Sequence, residues 1–161
     1  MDIFNFLTVS QWLALLRIGI GLWWLKSVLH KPLRQFVSGQ MVNWTLALAE
    51  NHPVPAYGRL IRGLVEPNAS WFPYLILVGE TAVAIGLIFG LFTPLSLIVA
   101  IFLNLNYISL AGVRPKDINI NKAYQCEQGQ NWNMLIAEIV LLVTAAGSVW
   151  SLDSVLGIFG A

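Results

Sequence analysis

The sequence predicts an all-α protein: an integral membrane four-helix bundle with short amphipathic helices in the loop between spans one and two. Three observations carry that expectation. The 161 residues are 57% hydrophobic and 11% charged, whereas a typical soluble domain is about 25% charged. Four apolar runs, at about 10–29, 71–92, 94–112 and 131–150, each approach the roughly 20 residues needed to cross a hydrocarbon core. The basic residues are also one-sided. The loops after the first and third runs hold Lys31, Arg34, Arg59 and Arg62, then Arg114, Lys116 and Lys122, while both termini and the Thr93 turn hold none. The positive-inside rule then puts both long loops in the cytoplasm and both termini outside. The expected organisation is one multi-pass membrane domain over residues 1–161.

The first span, Ser10 to Leu29, opens after Thr8 or Ser10, either of which suits an N-cap, and stops at His30-Lys31-Pro32. Asp2 and the absence of a basic leader make it a retained helix and not a signal peptide. Trp12 at one end and Trp23 and Trp24 near the other suit the two interfaces. Residues 33–70 are too polar to span. Apolar residues recur at helical spacing in Phe36 to Glu50 and in Tyr57 to Val65, with NHPVP between them. Two amphipathic helices at the membrane surface or across the bundle end are expected. Trp71 to Phe92 is the second span, and Pro94 suits the first turn of the third. Val113 to Gln130 reads as a polar segment, followed by the fourth span and a short tail.

Charged side chains inside these spans are costly unless they are paired or reach water. Glu80 lies 12 residues before Phe92 and Glu138 lies 12 before Trp150, which places both about 18 Å from the outer surface. Asn104 and Asn106, counted from Pro94, fall at roughly 15 and 18 Å. The carboxylates and amides are therefore expected in one layer. Arg17 and Lys26 are nine positions apart and leave opposite helix faces. Arg17 is expected to point toward Glu80 or Glu138, with Lys26 the second candidate, although Lys26 is also placed to snorkel to the cytoplasmic interface. Two roles stay open for Arg17, Lys26, Glu80, Asn104, Asn106, Tyr107 and Glu138. The cluster either holds the helices in register or forms a pocket for a quinone headgroup or another amphiphile, with Tyr107 and Trp132 along its wall.

Other chemistry finds little support. The basic residues form no stripe suited to nucleic acid. The single Cys126 excludes an internal disulfide, and no CxxC or CxxCH stands in the chain, so covalent haem and an internally held iron–sulfur cluster are not expected. Neither His30 nor His52 falls mid-span or pairs at helical spacing, so both read as surface or loop histidines, with no metal site. Cys126 reads as a loop thiol. Gly19, Gly21, Gly79, Ala82, Ala84 and Gly86 permit close helix approach. A transporter is disfavoured because no internal repeat or pair of broken helices is visible.

The chain resembles the DoxX/DoxD-like family, the small membrane subunit type of thiosulfate:quinone oxidoreductase. The resemblance rests on LLRIGIGLWWLK at Leu15 to Lys26, the run from Val65 to Pro94 with its Gly79-Glu80, and NLNYISLAG at Asn104 to Gly112. It extends through EQGQNWNMLIAEIVLL at Glu127 to Leu142 and SLD at Ser151 to Asp153. It implies a four-helix membrane protein working beside a redox partner and the quinone pool, with Arg17, Glu80, Asn104, Asn106 and Glu138 as the matching polar positions. Two roles follow. One is an accessory or structural transmembrane subunit of a larger respiratory, photosynthetic or other redox complex. The alternative is a quinone-interacting small subunit of a thiosulfate:quinone-type oxidoreductase, sharing electron-transfer chemistry with another subunit. The expected partners are the bilayer and other membrane subunits. The expected bound molecules are a quinone or a lipid, because no intrinsic cofactor motif is present.

Overall fold

The computed structural model describes residues 6–158. All regular structure among them is helical: α1 (Val9–Leu29), α2 (Leu33–Gln35), α3 (Met41–Glu50), α4 (Pro55–Val65), α5 (Phe72–Phe89), α6 (Thr93–Leu110), α7 (Tyr124–Val143) and α8 (Leu152–Leu156). A π-helical turn at Phe36–Gln40 leads into α3, and a 3-10 turn at Glu66–Asn68 follows α4. Three helices, α1, α5 and α6, are long and apolar enough to cross a membrane.

The fourth expected span is displaced. α7 begins at Tyr124, well before Asn131, and ends at Val143, well before Trp150. Its first turns, YQCEQGQ, contain no proline and tolerate helix well. Its end is a left-handed turn: Ala145 has φ +50° and the Ala146 amide donates back to Leu141 O at 3.2 Å, the hydrogen bond that closes a Schellman-type C-terminus. Glu138 therefore lies five residues before the helix end. The count that put it level with Glu80 assumed helix to Trp150, and that basis is lost. Cys126 is accordingly an exposed helical thiol and not a loop thiol.

The chain forms two compact units. The first comprises residues 1–29, 79–102 and 135–161. Here α1 starts in a reciprocal capping box, with the Gln11 amide donating to Thr8 Oγ1 at 3.3 Å and the Thr8 amide to Gln11 Oε1 at 2.8 Å. Ala14, Val83, Ala84, Leu87, Leu97 and Leu141 fill its core. Of the small residues, Gly21 is the one on which α1 meets α5. A Cβ there would lie 2.8 Å from Ile88 N and 3.1 Å from Leu87 C, so only glycine lets the backbones approach this closely. Gly19, by contrast, has nothing near it.

The second unit comprises residues 30–78 and 103–134. Phe36, Met41, Val42, Leu48, Ala49 and Val65 are among its buried apolar residues. The two helices expected in 33–70 are present as α3 and α4. They pack at Gly58, where a Cβ would collide with Ala49 O. The entry to α3 bends at Gly39, whose φ of +125° suits glycine alone. Leu60 and Leu64 of α4 are more than half exposed.

Candidate functional site

In the first unit the structure buries Arg17, Glu80 and Glu138. Glu138 accepts a hydrogen bond from Trp24 Nε1 at 2.9 Å. This corrects the expectation for Trp24, which is 4% exposed and serves as a buried donor, not an interfacial belt residue. A buried carboxylate without donors is strongly disfavoured, and an indole N–H to a charged acceptor is among the stronger protein hydrogen bonds. Glu80 also has an interaction partner within the structure. Lys26 is exposed, with its Nζ 5.2 Å from the Trp23 ring centroid. It stacks on an aromatic face at the helix surface.

Arg17 meets a different set of groups from the one its sequence suggests. Its Nη2 donates to Trp150 O at 2.6 Å, and its guanidinium packs on Gly90 and beside Ser151. Among the described residues its Nε and Nη1 are buried with no hydrogen-bond partner, and the bond from Nη2 goes to a backbone carbonyl and not to Glu80 or Glu138. The Asp153 amide donates to the carbonyl of Gly90, the residue on which the Arg17 guanidinium packs.

Asp153 organises this end of the unit. Its Oδ1 accepts from the Phe92 amide and its Oδ2 from the Thr93 amide, both at 2.7 Å. The Asp153 amide donates to Gly90 O at 2.9 Å. Thr93 is the first residue of α6, so the carboxylate caps a helix N-terminus and satisfies two amides that the helix itself leaves open. Gly90, at φ +62°, ends α5 in a Schellman turn, with Leu91 N donating to Gly86 O at 2.9 Å. Phe92 and Trp150, with φ +48° and +50°, are left-handed without being glycine. Such conformations persist where surrounding bonds over-determine them. Here those bonds come from Asp153 to the Phe92 amide and from Arg17 to the Trp150 carbonyl. Ser151 Oγ, donating to Gly147 O and accepting from Ser154 N, holds the tail that carries Asp153.

The amides lie in the second unit. Asn104 is buried, and Asn106 and Tyr107 are half-buried; all three have interaction partners. The Asn106 carbonyl accepts from Ser109 Oγ at 3.1 Å, and the Tyr107 carbonyl accepts the Ala111 and Gly112 amides that end α6. Trp132 is 45% exposed.

His52 lies in the loop between α3 and α4, as one of its two expected placements has it, but it is buried and not on the surface. Its Nδ1 lies 3.1 Å from both the amide and the carbonyl oxygen of Val54, and its Nε2 lies 2.9 Å from Ser109 O, which calls for a proton on Nε2. The Tyr57 ring packs on it at 4.7 Å between centroids, and Tyr57 Oη meets Ser109 Oγ at 2.6 Å. Both ring nitrogens are thus engaged with backbone, and the imidazole joins the start of α4 to the end of α6. Asn121 Nδ2 donates to Ala111 O at 2.5 Å, and the Lys116 amide donates to Asn51 O at 2.8 Å, tying the loop before α7 to the same unit.

Asp153, Trp24 and His52 were missed as key polar residues from sequence. The one available signal was the SLDS tetrapeptide, whose Ser151 and Asp153 have the residue types of a helix start. Neither a family model, nor a curated protein, nor a solved structure matches this chain.

Proposed function

We propose that this chain is a multi-pass membrane subunit with an accessory or structural role in a larger redox complex. The observation that carries the reading is the internal use of Glu138, whose buried carboxylate is bonded to Trp24 of the same unit. A carboxylate held this way is a packing element, and a scaffold subunit needs no more of it. The outward apolar side chains of α5 and α6, among them Val78, Phe89, Ile98 and Phe102, supply the surface that lipid or neighbouring subunits would cover. The four-helix arrangement, the cytoplasmic loops and the DoxX/DoxD-like resemblance belong to this proposal. α7 would contribute the fourth crossing over its whole length of 20 residues, and the loops carrying Arg59 and Lys116 would face the cytoplasm.

A second reading is a quinone-interacting small subunit of a thiosulfate:quinone-type oxidoreductase. Arg17 favours it, because two of its buried nitrogens have no acceptor among the described residues and a quinone carbonyl accepts such hydrogen bonds. In this reading a partner subunit supplies the electrons and the chain contributes part of a headgroup site.

Purification in mild detergent from the native membrane, with mass spectrometry of co-purifying proteins and extracted lipophilic molecules, separates the two. The accessory reading expects stoichiometric recovery with a large complex and no enriched quinone. A dedicated redox partner with stoichiometric quinone would overturn it in favour of the second. Glu80→Gln adds a functional arm. Loss of quinone reduction in an intact assembly supports the second reading, and loss of assembly supports the first.

A further inference from the structure

The second unit contains a cavity of about 210 Å³ between α3 and α4, lined in part by Ala49, Glu50, Gly58, Arg59, Arg62 and Lys116. Three cations and one carboxylate thus share a small concave surface. Arg59 and Arg62, three positions apart, sit on neighbouring turns of α4. Lys116 comes from a distant loop, anchored there by its own amide bond to Asn51 O. Arg62 is held from two sides, 3.6 Å from Glu50 and 3.4 Å from Glu66. Arg59 and Lys116 have no acidic partner within ion-pair distance among the described residues.

Glu50 and Glu66 balance Arg62, which leaves Arg59 and Lys116 as two like charges on one cavity, an arrangement that favours a further anion between them. We infer that this cavity is an anion site for a phosphate-class group. A guanidinium fork from Arg59, the oriented Arg62 and the point charge of Lys116 match the oxygens of a phosphate. The volume lies below the roughly 300–1,000 Å³ of sites for drug-sized ligands, so the group bound is a phosphate or a single headgroup and not a nucleotide. Gly58 contributes by absence of a side chain: a Cβ there would press α4 off Ala49 and change the cavity floor.

The same chemistry comes from a lipid phosphodiester or from a free phosphate compound, and two arms distinguish them. The full chain is reconstituted in phosphatidylcholine nanodiscs and titrated with inorganic phosphate by calorimetry. In parallel, detergent-solubilised protein is exposed to phosphatidylglycerol and phosphatidylcholine, and retained lipid is read by native mass spectrometry. Arg59→Gln and Lys116→Gln are compared with Arg34→Gln, an exposed arginine outside the cavity. Each cavity variant should weaken binding about tenfold, with unfolding temperature unchanged because both side chains are exposed. Saturable phosphate binding with that pattern supports a free phosphate group. Selective phosphatidylglycerol retention with that pattern, and no phosphate titration, supports a lipid headgroup. Absence of binding in both arms, or equal loss in Arg34→Gln, overturns the site.

Discussion

The two units treat polar burial in opposite ways. The unit formed by residues 1–29, 79–102 and 135–161 buries Arg17, Glu80, Glu138 and Asp153. The unit formed by 30–78 and 103–134 buries amides, a threonine and one imidazole (Asn104, Asn121, Asn131, Thr45 and His52) and leaves Glu50, Arg59, Arg62 and Lys116 exposed. A buried formal charge demands fixed donors or acceptors. In the first unit Asp153 has two backbone amides, Glu138 an indole and Arg17 a carbonyl. An amide or imidazole needs only ordinary hydrogen bonds, which the second unit supplies from the Ser109 and Ala111 carbonyls. The first arrangement is intolerant of change, because losing one partner strands a charge. The second is milder, because losing one partner strands a neutral dipole.

This contrast orders the expected effects of mutation. Gly90→Ala should be the most damaging. It adds a Cβ against the Arg17 guanidinium and Ser151 at φ +62°, combining left-handed strain with overpacking for a loss of roughly 2–5 kcal/mol. Thermal unfolding in detergent reads it, and a near-native melting temperature would break the contrast. Asp153→Ala removes both acceptors at the start of α6 and should cost about 2–4 kcal/mol. Asp153→Asn, which keeps one oxygen acceptor, should recover part of that in the same measurement. In the second unit, His52→Phe leaves the Val54 amide and Ser109 carbonyl without their imidazole partner and should cost about 1–3 kcal/mol. Hydrogen exchange at the start of α4 should rise with it, and unchanged exchange would show that His52 does not tie α4 to Ser109. Lys26→Gln should be nearly silent, within about 0.5 kcal/mol, because that cation is exposed on the Trp23 ring.

Much of this was legible in the sequence. The all-α class, the three long apolar helices and the two loop helices follow from apolar periodicity and from Pro32, Pro53 and Pro94. Local chemistry also marked Arg17, Glu80, Asn104 and Glu138 as polar residues inside apolar runs. Their partners were hidden because they are contributed across long sequence separations, often by backbone. The Trp150 carbonyl that receives Arg17 has no residue signature, and neither do the Phe92 and Thr93 amides that hold Asp153. The early end of α7 was hidden for a related reason. It turns on Ala145, a strong helix former by propensity, driven into a left-handed conformation that the Schellman hydrogen bond to Leu141 supports. That the loop residue His52 is buried was hidden because its burial depends on Ser109, which sequence distance alone does not connect to it.

In the proposed accessory role Glu138 serves as an acceptor in the packed interior and not as a proton-active group for a quinone. Glu138→Gln tests it most directly, since glutamine keeps an oxygen for Trp24 Nε1 and removes the titratable proton. Assembled protein and quinone reduction per molecule are to be measured on the same native membranes. Our account expects both to stay near wild type. Full assembly with quinone reduction abolished would contradict it and move Glu138 from scaffold to redox site.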